Sequence, residues 1–421
     1  MEFQTETSIN KLVDHLFRHN SGQMVAVLTR IFGFEHIDLI EDAIQETLIK
    51  ALGQWKFKGV PENPTAWLIQ TAKNHILDQF RRSKKFDLTD QFDEPENSTA
   101  DVEEKFRYPK ELKDDLLRMM FAVCDPVLSP DSRVALTLKT VGGFSVAEIA
   151  QGFLSSEEAV AKMITRSKNR LKERHAKLEI PPPQEIEARL DAVIKVLYLM
   201  FNEGYSASGG NEPVRSDLCF EAIRLAQILS DHPVTKAPKI EALLALFFFQ
   251  GARLGARSDQ TRDILLLADQ NRSLWDRKMI NVGLYHLRRS AKGRELTDYH
   301  LEAEIASCYV LAPDFDSTDW NRILGCFDRL LLSKPSPVIA LNRVFVVSKV
   351  FGPEHALREI EELQDNKQLQ NYLQFHIAIA QLYSDTGSIN ESKRSYQRAI
   401  ELASNGATKN FLHGKLKSLT I

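Results

Sequence analysis

Residues Lys162 to Lys177 read KMITRSKNRLKERHAK, seven lysines and arginines against one glutamate. Ammonium and guanidinium groups at that density suit a polyanion, and on a helix they can divide between base edges and phosphates. Lys162, Thr165, Arg166 and Asn169 fall on the side that would touch base edges, with Lys168, Arg170 and Lys172 closer to phosphates. Arginine suits bidentate bonds to guanine, each worth ~1–3 kcal/mol of discrimination. Just upstream, Ser145 with Glu148 and Ser155 with Glu158 each spell a capping box, which predicts two helices starting ten residues apart around a tight turn at Gly152 to Ser155. Val146, Ile149 and Ala150 on the first, and Val160, Ile164 and Leu171 on the second, supply a mutual packing face. This is helix-turn-helix arithmetic. A plain helical hairpin would explain the two caps but not the basic run.

Two further segments carry charge in a pattern. In IDLIEDAIQETLIKAL, Ile37 to Leu52, the residues Ile37, Ile40, Ala43, Ile44, Leu48 and Ala51 fall on one helical face, with Asp38, Glu41, Asp42, Gln45 and Glu46 opposite. Alone, this reads as a solvated surface helix with an acidic side. In NPTAWLIQTAKNHILDQFRRSKKF, Asn63 is an N-cap and Pro64 the first helical residue. Trp67, Leu68, Ala72, Ile76 and Phe80 are expected to face a core. Asn74, Asp78, Arg82 and Lys85 line another face, flanked by Lys73 and Arg81. The basic end at Arg81, Arg82, Lys84 and Lys85 suits DNA phosphates and equally suits the negative pole of a helix.

The elements that position these residues are predicted to be helices throughout, because helical periods dominate and alternating β-branched runs are scarce. The chain of 421 residues should hold two or three domains. Its formal net charge of -3 gives no whole-chain case for nucleic acid, so that case rests on local clustering. Asp87 to Glu104 carry eight acidic residues and no basic one. Such a stretch builds no core and reads as a flexible linker. The expected division is residues 1–86, a linker over 87–107, a second module over 108–180, and a region from 185 to 421 beyond the proline spacer at Pro181 to Glu185. That last region reads as helical pairs. Its final pair fits tetratricopeptide spacing, with Ala380 and Tyr383 on one helix and Tyr396 and Ala399 on the other, and Ser392 and Ser404 departing from the usual Ala and Pro.

Four widely spaced cysteines suggest neither a zinc cage nor a disulfide framework, and are read as reduced core thiols. No run approaches the ~20 apolar residues of a membrane span and no signal peptide precedes the first helix, so a cytoplasmic protein without membrane contact is expected. A P-loop, an H-E-x-x-H helix, a G-x-S-x-G elbow and a Rossmann glycine pattern are all missing, so neither an enzyme nor a cofactor or metal site is expected.

Taken in order, the three charged segments resemble the extracytoplasmic-function (ECF) sigma factors of bacterial RNA polymerase. EDAIQETLIKAL is similar to their region 2 helix, AWLIQTAKNHILDQFRR to the helix that follows, and the helix-turn-helix to region 4; the resemblance covers about residues 9 to 175. It implies that Asp42, Gln45, Glu46 and Lys50 face core polymerase. It implies that Lys73, Asn74, Asp78, Arg81 and Arg82 meet the downstream promoter element, and that the helix from Lys162 to Lys172 reads the upstream element. Ala161 and Met163 depart from the polar or basic residues frequent there.

FNEGYSAS from Phe201, DQNRSLWD from Asp269, and DWNRILGCFDRLLLSKPSPVIALNR from Asp319 resemble a subgroup with long tetratricopeptide-like tails. Physically, Gly204 to Gly210 is a turn-forming loop, and Trp275 and Trp320 read as core anchors. The tail is expected to take a protein partner or an intramolecular contact with the promoter modules. The rival reading is a helix-turn-helix regulator with a tetratricopeptide-like interaction domain, against which the acidic helix and the Arg81/Arg82 helix argue.

Overall fold

The computed structural model describes residues 20–84, 109–153, 155–205, 215–257, 265, 267–403 and 406–419. Lys85, the acidic stretch Asp87 to Glu104, Ser206 to Gly210 and Ser404 lie outside them. The protein is all-α, and no strand occurs among the described residues. The chain divides into two compact units, residues 1–200 with 231–235, and residues 201–230 with 236–421.

The first unit contains α1 (20–32), α2 (Ile37–Lys58), α3 (Pro64–Lys84), α4 (Pro109–Val123), α5 (Pro130–Thr140), α6 (Val146–Gly152), α7 (Glu157–Glu173) and α8 (Pro183–Tyr205) up to Met200. The start of α3 follows from its sequence. Asn63 accepts a bond from the Ala66 amide at 3.1 Å, and Pro64 needs no donor at the first helical position. Trp55 and Trp67 close α2 on α3 with ring centroids 5.5 Å apart. Leu68, Ile69, Ala72 and Ile76 are buried between them, while Trp67 and Phe80 are only half-buried.

The two modules separated in sequence by the acidic stretch lie in this one unit. Arg30 on α1 reaches Asp115 on α4 at 2.9 Å, and Arg118 reaches the same carboxylate at 2.6 Å. Gly22 on α1 meets the end of α5 backbone to backbone, since a Cβ at position 22 would sit 1.9 Å from the Val141 carbonyl oxygen. Burial pushes the Asp115 carboxyl above its ordinary value despite both arginines. The proline spacer leads directly into a helix, with α8 starting at Pro183. The first half of α8 then packs within the first unit, where Arg189 donates to Asp125 at 3.3 Å and to the Phe121 carbonyl at 2.6 Å.

The second unit holds the end of α8, α9 (Ser216–Asp231) up to Ser230, α10 (Pro238–Gly251), α11 (Arg277–Ser290), α12 (Asp298–Leu311), α13 (Trp320–Ser333), α14 (Pro337–Phe351), α15 (Pro353–Glu361), α16 (Lys367–Gln370), α17 (Leu373–Asp385), α18 (Ile389–Leu402) and α19 (Gly406–Ser418). Helix α10 is buried on every side and apolar but for Lys239, Glu241 and Gln250, and α11 and α12 pack on it. Phe247 of α10 stacks on Phe201 with centroids 4.2 Å apart. At the far end α17 and α18 form a hairpin in which Ala380, Tyr396 and Ala399 are buried together. Ser392 stands where an alanine would be expected because its hydroxyl donates to the Ala380 carbonyl at 2.8 Å. Tyr383 packs instead against the neighbouring core. Cys124, Cys219, Cys308 and Cys326 are all buried free thiols.

One acid in this core is fully committed. Glu241 on α10 accepts from Ser230 at 2.8 Å, from His286 Nδ1 at 2.7 Å and from Arg289 at 2.9 Å. Burial pushes its carboxyl up, but Arg289, His286 and Ser230 outweigh burial and hold it below the ordinary 4.5. A depressed carboxylate stabilises the fold above its unfolded value, and that contribution is lost as pH falls through the folded value. Glu241→Ala should therefore cost about 3 kcal/mol at pH 7, because it strips Arg289 and His286 of their shared partner. Urea denaturation followed by circular dichroism at pH 7 and pH 3 checks this, with the gap between parent and variant shrinking at the lower pH.

Candidate nucleic-acid interface

Helices α6 and α7 each start from a side-chain cap. Ser145 accepts from the Glu148 amide at 3.2 Å and Glu148 returns to the Ser145 amide at 2.8 Å, a complete capping box for α6. The second cap falls one residue later than expected: Ser156, and not Ser155, accepts from the Ala159 amide at 3.2 Å. Glu158 is thereby moved from the box position and pairs along the helix with Lys162 at 2.6 Å. Val160, Ile164 and Leu171 are buried against α5 and α6, as their spacing requires.

What α7 offers outward is narrower than its composition. Lys162, Thr165, Arg166, Asn169 and Arg170 are exposed in one stripe. Lys168 is buried, its side chain 7% exposed, and its ammonium lies 2.9 Å from both Asp38 and Glu41 of α2. Lys172 reaches the second oxygen of Asp38 at 2.5 Å. Cations four apart on α7 thus meet carboxylates three apart on α2, and the turn Phe34–His36 lies against the same helix. Asp38 and Glu41 were legible as part of an acidic face, and the matching helical spacing of Lys168 and Lys172 was the one signal that could have linked them.

This joint is electrostatically stable around neutrality. Burial alone would lower the Lys168 ammonium, but Glu41 and Asp38 outweigh it and the net shift is upward. Burial alone would raise Asp38, but Lys172 and Lys168 hold it below its ordinary 3.8. The raised lysine keeps its contribution below its unfolded value of 10.5 and loses it only above that, and the lowered aspartate keeps its contribution down to below 3.8. Protonation therefore does not release the joint near pH 7, whereas competing charges can.

On α2, Asp42, Gln45, Glu46 and Lys50 are all exposed, as are Asn74, Asp78, Arg81 and Arg82 on α3. Lys73 is not, being only 4% exposed. The two sets meet in a cleft of about 450 Å³ lined by Glu46, Lys50, Thr71, Asn74, His75 and Asp78. Across it His75 lies 3.2 Å from Glu46, and along α3 Arg81 reaches Asp78 at 3.4 Å. Among the described residues no group of histidine, cysteine or carboxylate side chains could hold a metal ion, and no helix is long and apolar enough to cross a membrane.

Comparison with known proteins bears on both units. Residues 16–86 match the family model of sigma-70 region 2, and residues 189–291 match a family of unknown function, DUF6596. The chain is 36% identical over 392 residues to the uncharacterized protein R00370 of Rhizobium meliloti (strain 1021), covering 92% of this chain and 91% of that one. It is also 35% identical over 115 residues to the ECF RNA polymerase sigma factor SigL of Mycobacterium tuberculosis (strain ATCC 25618 / H37Rv), covering 26% of this chain and 59% of SigL.

The joint between α2 and α7 predicts a coupling energy. Lys168→Met and Glu41→Gln should each destabilise the protein, and together they should cost less than their sum, with a coupling of about 1–3 kcal/mol in a urea double-mutant cycle. Strict additivity would mean that the pair is not formed in solution.

Proposed function

We propose, from the premise that this chain belongs to the same family as R00370 of Rhizobium meliloti and carries a sigma-70 region 2 domain, that it is a sigma factor directing core RNA polymerase to specific promoters. The observation that carries this reading is the pairing, in one chain, of the region 2 match with two capped consecutive helices, α6 and α7, the second with an outer stripe of Lys162, Thr165, Arg166, Asn169 and Arg170. An operator-binding regulator would use the second element without the first. The likeness to SigL, named as an ECF RNA polymerase sigma factor, points the same way.

In this reading the exposed residues Asp42, Gln45, Glu46 and Lys50 of α2 face core polymerase. Ile49, 70% exposed, and Phe57, 84% exposed, lie on the same helix and supply apolar area that a solvated helix does not need. Asn74, Asp78, Arg81 and Arg82 meet the downstream promoter element, with Lys73 acting from within α3. The stripe on α7 reads the upstream element, Arg166 at base edges and Arg170 at phosphates. Lys168 and Lys172 reach DNA only after leaving Asp38 and Glu41, so the described arrangement is a closed one, and engagement of α2 by polymerase is the step that frees them. The helical hairpins after Met200 act as a tetratricopeptide-like regulatory region that takes a protein partner or contacts the promoter modules.

Two measurements test the assignment. Purified chain with core polymerase should start transcripts at a defined subset of promoters, and Asp42→Lys with Glu46→Lys should weaken copurification with core about tenfold or more while leaving helicity unchanged. Arg166→Ala should alter which upstream element is used, at a cost of about 1–3 kcal/mol on the preferred one. Equal loss on matched and mismatched promoters would remove Arg166 from the groove.

A further inference from the structure

The second unit buries one guanidinium with which no carboxylate among the described residues pairs. Arg253, in the turn that follows α10, is 8% exposed, and among those residues its hydrogen bonding amounts to a long contact from Nε to the Gln270 side-chain oxygen at 3.3 Å. Its guanidinium lies 5.5 Å from the centroid of Trp275. No carboxylate among the described residues forms an ion pair with it. Its electrostatic neighbours are the phenols of Tyr205 and Tyr309 and a second guanidinium, Arg257. Arg257 itself sits 3.7 Å from the Tyr205 ring centroid.

A third guanidinium, Arg272, lies 4.6 Å from the Trp275 ring centroid. Its Nη1 donates to the carbonyls of Tyr309 at 2.7 Å and Ala312 at 2.8 Å, which closes the end of α12, but its Nη2 is buried without a partner. Arg253 and Arg277 press on Arg272 with like charge, and Asp314, on the loop after α12, offsets them in part. Aromatic faces ease the burial of a cation but do not replace a counter-charge.

This cluster joins segments far apart in sequence. Tyr205 comes from the FNEGYSAS stretch, Gln270, Arg272 and Trp275 from DQNRSLWD, and Arg253 and Arg257 from the turn that follows α10. A turn built only to anchor Trp275 would need the indole buried, which it is, and would not need Arg253 driven beneath it. The guanidinium fork of arginine matches a phosphate or carboxylate in two parallel bonds, a geometry that lysine lacks.

We propose that Arg253, Arg257 and Arg272, around Trp275, form a binding site for a small molecule bearing a phosphate or carboxylate group. The oxyanion supplies the counter-charge that Arg253 lacks, Arg253 makes the two-pronged contact, and Tyr205 and Tyr309 border the body that carries the anion. The tail thereby holds a receptor for a small anionic effector, a role separate from any contact with DNA or polymerase.

The test uses the full chain freed of phosphate, with ionic strength held constant by chloride. Inorganic phosphate and benzoate are titrated separately, with heat of binding and the thermal unfolding midpoint as readouts. Saturable one-site binding of at least one, with a rising midpoint, is expected; which of the two binds separates a phosphate from a carboxylate effector. Arg253→Gln should weaken that binding about tenfold or more, and Arg253→Lys, which keeps the charge and the packing but loses the fork, should weaken it too. A second measurement distinguishes a receptor from a structural arginine. Without oxyanion, Arg253→Met should unfold no earlier than the parent, because it removes a buried charge that lacks a counter-charge; at saturating oxyanion the parent should be the more stable. Failure of both anions to bind saturably, binding unchanged by Arg253→Gln and Arg253→Lys, or an Arg253→Met deficit equal with and without oxyanion would each overturn the proposal.

Discussion

A lysine ammonium lying between two carboxylates fixes the arrangement of the first unit. Lys168 sits 2.9 Å from Asp38 and from Glu41, and everything that α7 can present outward is decided by which side of the helix that contact turns inward. Burying one of these charges alone would cost several kcal/mol, so the helix carrying the cation and the helix carrying the anions are held in register by the need to keep them together. Asp115 sets the same requirement a second time for α1 and α4. The two stretches of chain on either side of the acidic segment are thus joined by charges that must be parted together.

The joint also reconciles stability with use. Surface ion pairs are worth little and are screened by salt, whereas a buried pair persists until a competitor offers equivalent charge. A duplex phosphate is such a competitor for Lys168 and Lys172, and a cationic protein surface is one for Asp38 and Glu41. The residues that keep α7 in place are therefore of the kinds that, under the proposed function, its targets would attract.

Much of this was legible in the sequence, and the exceptions have a common cause. Asn63 and Pro64 start α3, and Ser145 with Glu148 starts α6, because capping is a local matter of one side chain and the next three amides. Ser155 lost to Ser156 because adjacent serines can both cap, and the choice fell with Glu158 pairing to Lys162. In the sequence Lys73 and Lys168 read as outward-facing, because a lysine in a helix is usually exposed. The burial of Lys168 depends on Asp38 and Glu41 from another helix, which helical periodicity does not encode. The same holds in the tail. Trp275 is readable as an anchor, but the guanidiniums around it come from stretches of chain that only the fold brings together.

The contact of Gly22 with the Val141 carbonyl has a consequence on the scale of descent. Ion pairs can be rewritten: an aspartate on α2 and a lysine on α7 can exchange identities through intermediates that weaken the joint without abolishing it. A backbone packed against a backbone has no such path, because every other residue brings a Cβ that would lie 1.9 Å from an oxygen. Among relatives that keep this arrangement, position 22 should admit glycine alone while the charges around Lys168 drift in pairs. A lineage in which a larger residue appears at position 22 has given up this arrangement, and its charges at Asp38, Glu41 and Lys168 are then free to diverge independently.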